Sequence, residues 1–220
     1  MRIYVLKLEC SNFYSVLAFF RILNAEANEI SLDKLHDIED FSILVIPGVG
    51  HIESFFEEVN RVLPTSSLRE VIFAHKLMII EICLGFQVLC RFSDEKEDIE
   101  CLNLFPYTIQ KIHESSRPLV GWKESFSSST RDIKYNKLEE VLDRKFFYHT
   151  HSYGLLNIPN ASGFCYSKCN VEDGTNVFTT LIKDNVAGFQ FHPEKSGASG
   201  LLLMEHVLLY FRDYRNQFLI

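Results

Sequence analysis

The chain is poor in the residues that mark non-globular polymers. It has ten glycines, six prolines and one tryptophan in 220 residues, which excludes a collagen-like, low-complexity or disordered chain. No apolar run approaches the roughly 20 residues that a membrane helix needs. Polar residues break the stretch Met1-Arg2-Ile3-Tyr4-Val5-Leu6-Lys7-Leu8-Glu9 before it resembles an export signal. Positive charge is scarce: 22 Lys and Arg stand against 29 Asp and Glu, a net of −7. With no dense basic block, nucleic acid is not an expected partner, and neither is a membrane. Six cysteines stand at 10, 83, 90, 101, 165 and 169, with no C-x-x-C pair. Cys165 and Cys169 could open a metal site, but no His pair with ligand spacing follows them. The expectation is a cytoplasmic protein with reduced thiols and no metal or organic cofactor.

What the chain does contain is apolar mass, at 47% of residues, including 19 Phe and 9 Tyr. Strand-like runs alternate with helical patterns. Residues 3–8, 42–46 and 77–80 read as strands, the last two as continuous apolar runs suited to burial on both faces. Helical spacing follows each: from Ser11, with Val16, Leu17, Phe19, Phe20 and Leu23 on one face; over 51–62 and 67–75; and over 84–91. The charged 93–100 stretch and the Ser-rich 125–136 stretch read as surface loops. Shorter strands are expected at 107–112, 146–149, 164–168, 177–182 and 186–191. A closing helix is expected over 199–215, with Leu202, Leu203, His206, Leu209 and Tyr210 inward. This order predicts one α/β domain over 1–220, an open, mostly parallel sheet flanked by helices with an added β-element.

Three segments carry chemistry. In Glu81-Ile82-Cys83-Leu84-Gly85 a buried strand runs into a cysteine and a helix starts at once, the setting of a nucleophile elbow. The same residues equally describe one more small buried hydrophobe. In Phe191-His192-Pro193-Glu194-Lys195 the alternation of an extended segment would aim His192 and Glu194 at one site, as base and orienting carboxylate. Pro47-Gly48-Val49-Gly50, just beyond a buried strand, lets backbone N–H groups approach a ligand, although an ordinary turn would read the same way. All three fall at strand ends, where open α/β sheets place their sites.

With Ile82-Cys83-Leu84-Gly85-Phe86-Gln87, Val120-Gly121-Trp122, His151-Ser152-Tyr153 and Phe189-Gln190-Phe191-His192-Pro193-Glu194-Lys195-Ser196, these segments resemble a class I, triad-type glutamine amidotransferase. Within that class they are most similar to the glutaminase subunit of imidazole glycerol phosphate synthase. The resemblance implies a flavodoxin-like fold with a nucleophile elbow. It implies that Cys83 attacks the carboxamide of L-glutamine, that His192 is base and then acid, and that Glu194 orients His192. Gly48, Val49 and Gly50 with the Leu84 N–H would form the oxyanion hole. Gln87, His151, Ser152 and Tyr153 would help hold glutamine. Ammonia would pass to a (β/α)₈ cyclase-type subunit of histidine synthesis, with Asn12, Trp122 and Lys195 at the interface.

Four departures accompany the likeness. Glu81 stands where the family has Gly, either as a solvated strand-end residue or as a disturbance of the elbow. Glu9-Cys10-Ser11-Asn12 keeps only the Asn of a glycine-rich loop. Pro118-Leu119-Val120-Gly121-Trp122-Lys123 lacks a His and an Asn. His149 replaces an apolar residue. They leave open a divergent paralogue that supplies ammonia to a sugar-amidating enzyme of surface polysaccharides, or a catalytically weak scaffold subunit. A free-standing cysteine peptidase of the same fold fits less well with Gln87 and the His-Pro-Glu-Lys-Ser run.

Overall fold

A computed structural model describes residues 1–9, 11–96, 99–112, 117–130, 132–158 and 163–218. Cys10 and part of the 93–100 stretch lie outside the described residues. The chain runs β1 (Ile3–Leu6), α1 (Phe13–Ile22), β2 (Ala27–Ile30), β3 (Ile43–Ile46), α2 (Ile52–Val62), α3 (Thr65–Ala74), β4 (Met78–Ile82) and α4 (Leu84–Leu89). It continues through β5 (Phe92–Ser93), β6 (Thr108–Lys111), β7 (Leu119–Glu124), β8 (Phe126–Ser127), α5 (Asn136–Leu142), β9 (Phe146–His151) and β10 (Tyr153–Gly154). The last elements are β11 (Cys165–Asn170), β12 (Asn176–Lys183), β13 (Val186–Phe189) and α6 (Gly197–Asn216).

Eight strands form one sheet in the order β2-β1-β3-β4-β13-β12-β11-β8. Pairing is parallel from β2 through β13 and antiparallel from β13 to β8. The fold is therefore the expected α/β class, a mixed sheet flanked by helices. Its parallel half explains the apolar runs: every residue of β3 and of β4 is buried, because helices cover both faces. One core packs α1 and α6 against the sheet through Phe20, Val45, Ile80 and Phe211, and the other packs α2 and α3 through Leu44, Phe55, Ile72 and Ile79. At about 25 cal/mol per Å² of apolar surface removed from water, such burial is the main force holding the layers. Among the described residues no helix is long and apolar enough to cross a membrane.

Three expectations are corrected. The 125–136 stretch is not all loop, because Phe126–Ser127 pairs with Ser167 and Lys168 of β11 at the place where that strand is irregular. The inward face of α6 is Leu203, Met204, Val207 and Phe211, while Leu202 and Leu209 are 40% and 43% exposed. The cause is Gly200: a Cβ there would lie 2.0 Å from the Pro193 carbonyl oxygen, and that close approach sets the rotation of the helix. Glu81 is not a solvated strand-end residue. It is fully buried between Ile46 and Gly188 of the flanking strands, and neither carboxylate oxygen has a hydrogen-bond partner.

Burial alone holds the Glu81 pKa well above the ordinary carboxylate value, so the group is kept neutral. Burial likewise raises the pKa of the neighbouring Cys90 and Cys101 thiols, Cys101 to about 12. A raised carboxylate pKa makes the folded state the better proton binder. Stability is then complete below the unfolded value and falls as pH rises above it. Glu81→Gln is expected to leave the melting temperature unchanged near pH 4. Above that it should raise stability over the parent by a margin growing by up to ~1.4 kcal/mol per pH unit. Thermal melts from pH 4 to 9 check this, and a constant difference would show that Glu81 is ionised in the fold.

Candidate active site

Strands β3, β4 and β13 are neighbours and parallel, so their C-terminal ends meet at one place. Each is followed at once by one of the three chemistry-bearing segments. Cys83 caps α4 with φ 56 and ψ −103, a left-handed conformation that ordinary side chains avoid. Such strain costs on the order of 1–3 kcal/mol and persists only where the surroundings fix it. Here the Cys83 N–H donates to the Phe189 carbonyl at 2.7 Å, tying the turn to the end of β13. Behind it Gly85 lies against β3, where a Cβ would come within 2.2 Å of the Ile46 carbonyl oxygen. The elbow therefore forms despite Glu81.

His192 donates from Nδ1 to Glu194 Oε1 at 2.7 Å, with the imidazole fully buried. The expected contact is made for a different reason: Pro193–Lys195 is a 3-10 turn, not an extended segment. Nε2 of His192 is buried without a closed hydrogen bond. Burial opposes a charge on this ring, but the Cys83 sulfur and the Glu194 carboxylate outweigh it, and the His192 pKa is raised to about 9. Asn12 Nδ2 donates to the same Glu194 Oε1 at 2.6 Å. Asn12 stands at the N-cap of α1 yet makes no side-chain cap bond, so its amide serves the carboxylate rather than the helix.

A pocket of about 290 Å³ opens beside Cys83. Val49, Gly50, Leu84, Gln87, His151, Ser152 and Tyr153 line it with His51, Glu95, Pro118 and Thr150. Gly48 lies behind it, and its carbonyl accepts the Leu84 N–H at 3.3 Å. The amide expected to face an oxyanion is thus engaged within the protein. His151 donates from Nδ1 to the Tyr153 carbonyl at 2.9 Å, and His149 Nδ1 meets His151 Nε2 at 3.0 Å. A carbonyl only accepts, so His151 carries its proton on Nδ1 and takes the His149 N–H on Nε2. Burial keeps both rings neutral, lowering the His151 pKa to about 4 and that of His149 well below its ordinary value. Lys195 and Trp122 are exposed and do not line the pocket. Cys165 and Cys169 are buried free thiols in separate cores. Among the described residues no group of three or more His, Cys, Asp or Glu is placed to hold a metal ion.

The pattern of the class-I glutamine amidotransferase family matches residues 8–205. The chain belongs to the class-I glutamine amidotransferases. Imidazole glycerol phosphate synthase subunit HisH 2 of Campylobacter jejuni (strain RM1221) is 31% identical over 213 residues, covering 94% of this chain and 98% of its own. Subunit HisH 1 of Parasynechococcus marenigrum is 29% identical over 179 residues, covering 79% and 82%. Among solved structures, one described as a glutamine amidotransferase superposes with a TM-score of 0.71 at 14% identity, covering 96% of this chain and 100% of its own. PurLQS from Thermotoga maritima gives 0.66 at 18%, covering 95% and 98%.

Sequence reasoning missed two residues of this amidotransferase's site. Glu95 sits in a stretch that reads as a charged surface loop. In the fold its carboxylate turns into the pocket wall, 2.9 Å from His51 Nδ1 and 3.1 Å from the Ile52 N–H. Gln190 is fully buried beside Cys83. Its place in the motif was visible, but no local signal tells which way its amide faces.

The His192–Glu194 pair carries a testable consequence. Its raised imidazole pKa contributes stability that is present below about 6.5 and lost as pH rises through about 9. Glu194→Gln removes the charge, so the His192 pKa should fall from about 9 and glutamine hydrolysis should drop roughly 100-fold. An NMR titration of the ring and a steady-state assay measure both. An unmoved His192 titration would remove Glu194 from the role.

Proposed function

We propose that this chain is the glutaminase subunit of a two-part synthase, hydrolysing L-glutamine to glutamate and ammonia. One observation carries the reading. Cys83 on a strained turn and a His192–Glu194 pair meet at adjoining strand ends, beside a pocket lined by Gln87, His151 and Tyr153.

In the proposed sequence His192 takes the Cys83 proton, and the thiolate attacks the substrate carboxamide. The resulting imidazolium, stabilised by Glu194, returns the proton to the departing ammonia. A γ-glutamyl thioester remains on Cys83, and water, activated by His192, releases glutamate. Glu95 is the one carboxylate among the lining residues and would meet the substrate's α-ammonium. The oxyanion needs the Leu84 N–H, which the Gly48 carbonyl now holds. Opening the hole requires that carbonyl to swing away. Gly50, two residues on, at φ +95 with open space where a Cβ would sit, gives the loop the freedom to turn.

A resting site with its hole closed suits a subunit that works only when docked. The outer face of β7 and β9 supports this. Val120, Trp122 and Phe146 are each about half exposed, and the Trp122 ring meets Tyr148 edge-on. Tyr148 in turn accepts the His192 N–H on its carbonyl at 2.9 Å. Pressure on this aromatic face reaches His192 through one residue. A cyclase-type (β/α)₈ partner of the kind that makes imidazole glycerol phosphate is the acceptor we propose, since the relatives named above are subunits of imidazole glycerol phosphate synthase. Asn12 and Lys195 would flank the same contact. The intact elbow and pair count against a scaffold without chemistry.

Glutamate release is expected to be weak for the chain alone and to rise at least tenfold when the cyclase-type subunit encoded nearest to it is added. Cys83→Ala should abolish it while leaving partner binding intact. Release retained by Cys83→Ala would end the thioester mechanism. Stimulation only by a sugar-amidating synthase would reassign the pathway.

A further inference from the structure

The side chain behind the nucleophile has a fixed orientation that can be worked out from its neighbours. The Tyr153 carbonyl accepts a proton from Gln87 Nε2 at 3.1 Å. A carbonyl has no proton to give, so the contact identifies the NH₂ end of the Gln87 amide. The same Gln87 Nε2 lies 3.3 Å from Gln190 Oε1, which must therefore be the acceptor end of the second amide. That leaves the NH₂ end of Gln190 facing Cys83 Sγ, at 4.0 Å. The backbone sets the approach. Phe189 accepts the Cys83 N–H at 2.7 Å, and the Gln190 N–H is held by the Thr179 carbonyl at 2.8 Å, so residue 190 is clamped beside the sulfur from both sides. Gln190 is fully buried, and water does not compete for its donors.

We propose that Gln190 is a catalytic residue, donating an amide N–H to Cys83 Sγ and stabilising the thiolate that attacks the substrate. The inference rests on the glutaminase reading above for its role in turnover, but not for its effect on the sulfur. A thiol is a weaker acceptor than a thiolate. A thiolate is a strong acceptor, and charge-assisted bonds shorten. The donor is aimed before the reaction begins, so it costs no reorganisation when the charge forms. The two Gln87 donor contacts go to Tyr153 and Gln190, so only its carbonyl end is left for glutamine. Gln87 then reads the substrate as an acceptor, and its donors serve the nucleophile through Gln190. The His149–His151 pair ends on the same Tyr153 carbonyl and helps to fix that anchor.

The test uses Gln190→Met, which removes the donor, and Gln190→Glu, which keeps the shape and the acceptor for Gln87. Cys83 alkylation by iodoacetamide is followed at neutral pH by peptide mass analysis, alongside kcat and KM for glutamine with the partner present. Both variants are expected to alkylate Cys83 about tenfold more slowly, the loss of one hydrogen bond to a charged group. Their kcat should fall by a similar factor with KM little changed. Slowing in Gln190→Glu alone would show a charge effect and overturn the proposal, as would unchanged alkylation in both. If the parent alkylates readily but releases no glutamate with any partner, the glutaminase reading fails while the sulfur contact is still read. If Gln190→Met does not fold, the side-chain amide signals of Gln190 are compared between the parent and Cys83→Ala. A shift larger than that of Gln87 supports the contact, and no shift overturns it.

Discussion

The bond from the Cys83 N–H to the Phe189 carbonyl is the point on which the site depends. It continues the parallel pairing of β4 and β13 by one step beyond the strands. It holds Cys83 in a left-handed conformation, and it brings the segment that carries Gln190, His192 and Glu194 to the cysteine. A slip of one residue in this register would turn every side chain beyond it to the other face of the sheet. The two cores formed by helices on either side prevent that slip, because β3 and β4 have no solvated face to exchange.

Around that point the protein buries several ionisable groups and deals with each differently. His192 keeps its charge within reach because Glu194 sits 2.7 Å away, and Asn12 steadies the carboxylate from α1. His149 and His151 are kept neutral by burial, which outweighs the opposing effect of the Tyr153 carbonyl that accepts from His151. Glu81 is neutral for want of any partner. It lies behind the elbow, toward Cys90 and Cys101 rather than in the pocket, so it loads the fold without entering the chemistry. The contrast follows from the cost of a buried charge, which is met by a partner or avoided by protonation.

The resting pocket is assembled but closed. The Gly48 carbonyl occupies the Leu84 N–H, and His51 occupies Glu95. Both contacts are made by groups on the 47–51 segment, where Gly50 has a positive φ and open space around it. The aromatic face of β7 and β9 joins this centre through the Tyr148 carbonyl.

The sequence by itself determined the fold class and the order of the chemistry-bearing segments, and it offered the elbow at Cys83 beside the reading of one more small buried hydrophobe. These are local properties: a continuous apolar run, a turn and a helix start need only neighbouring residues to be read. It misjudged the inward face of α6, because Gly200 packs against the carbonyl of Pro193 in the preceding turn, a contact that hydropathy does not report. It could not tell that Glu95 leaves its charged loop for the pocket. Nor could it tell that Glu194 reaches His192 through a 3-10 turn, or that Asn12 gives up capping to bond Glu194. Only the tertiary structure decided which end of the Gln190 amide faces the sulfur, because that choice is made at the Tyr153 carbonyl, through Gln87, 66 residues earlier in the chain. Hydrogen-bond polarity in a buried network is set by its anchor, and the anchor is brought there by the fold.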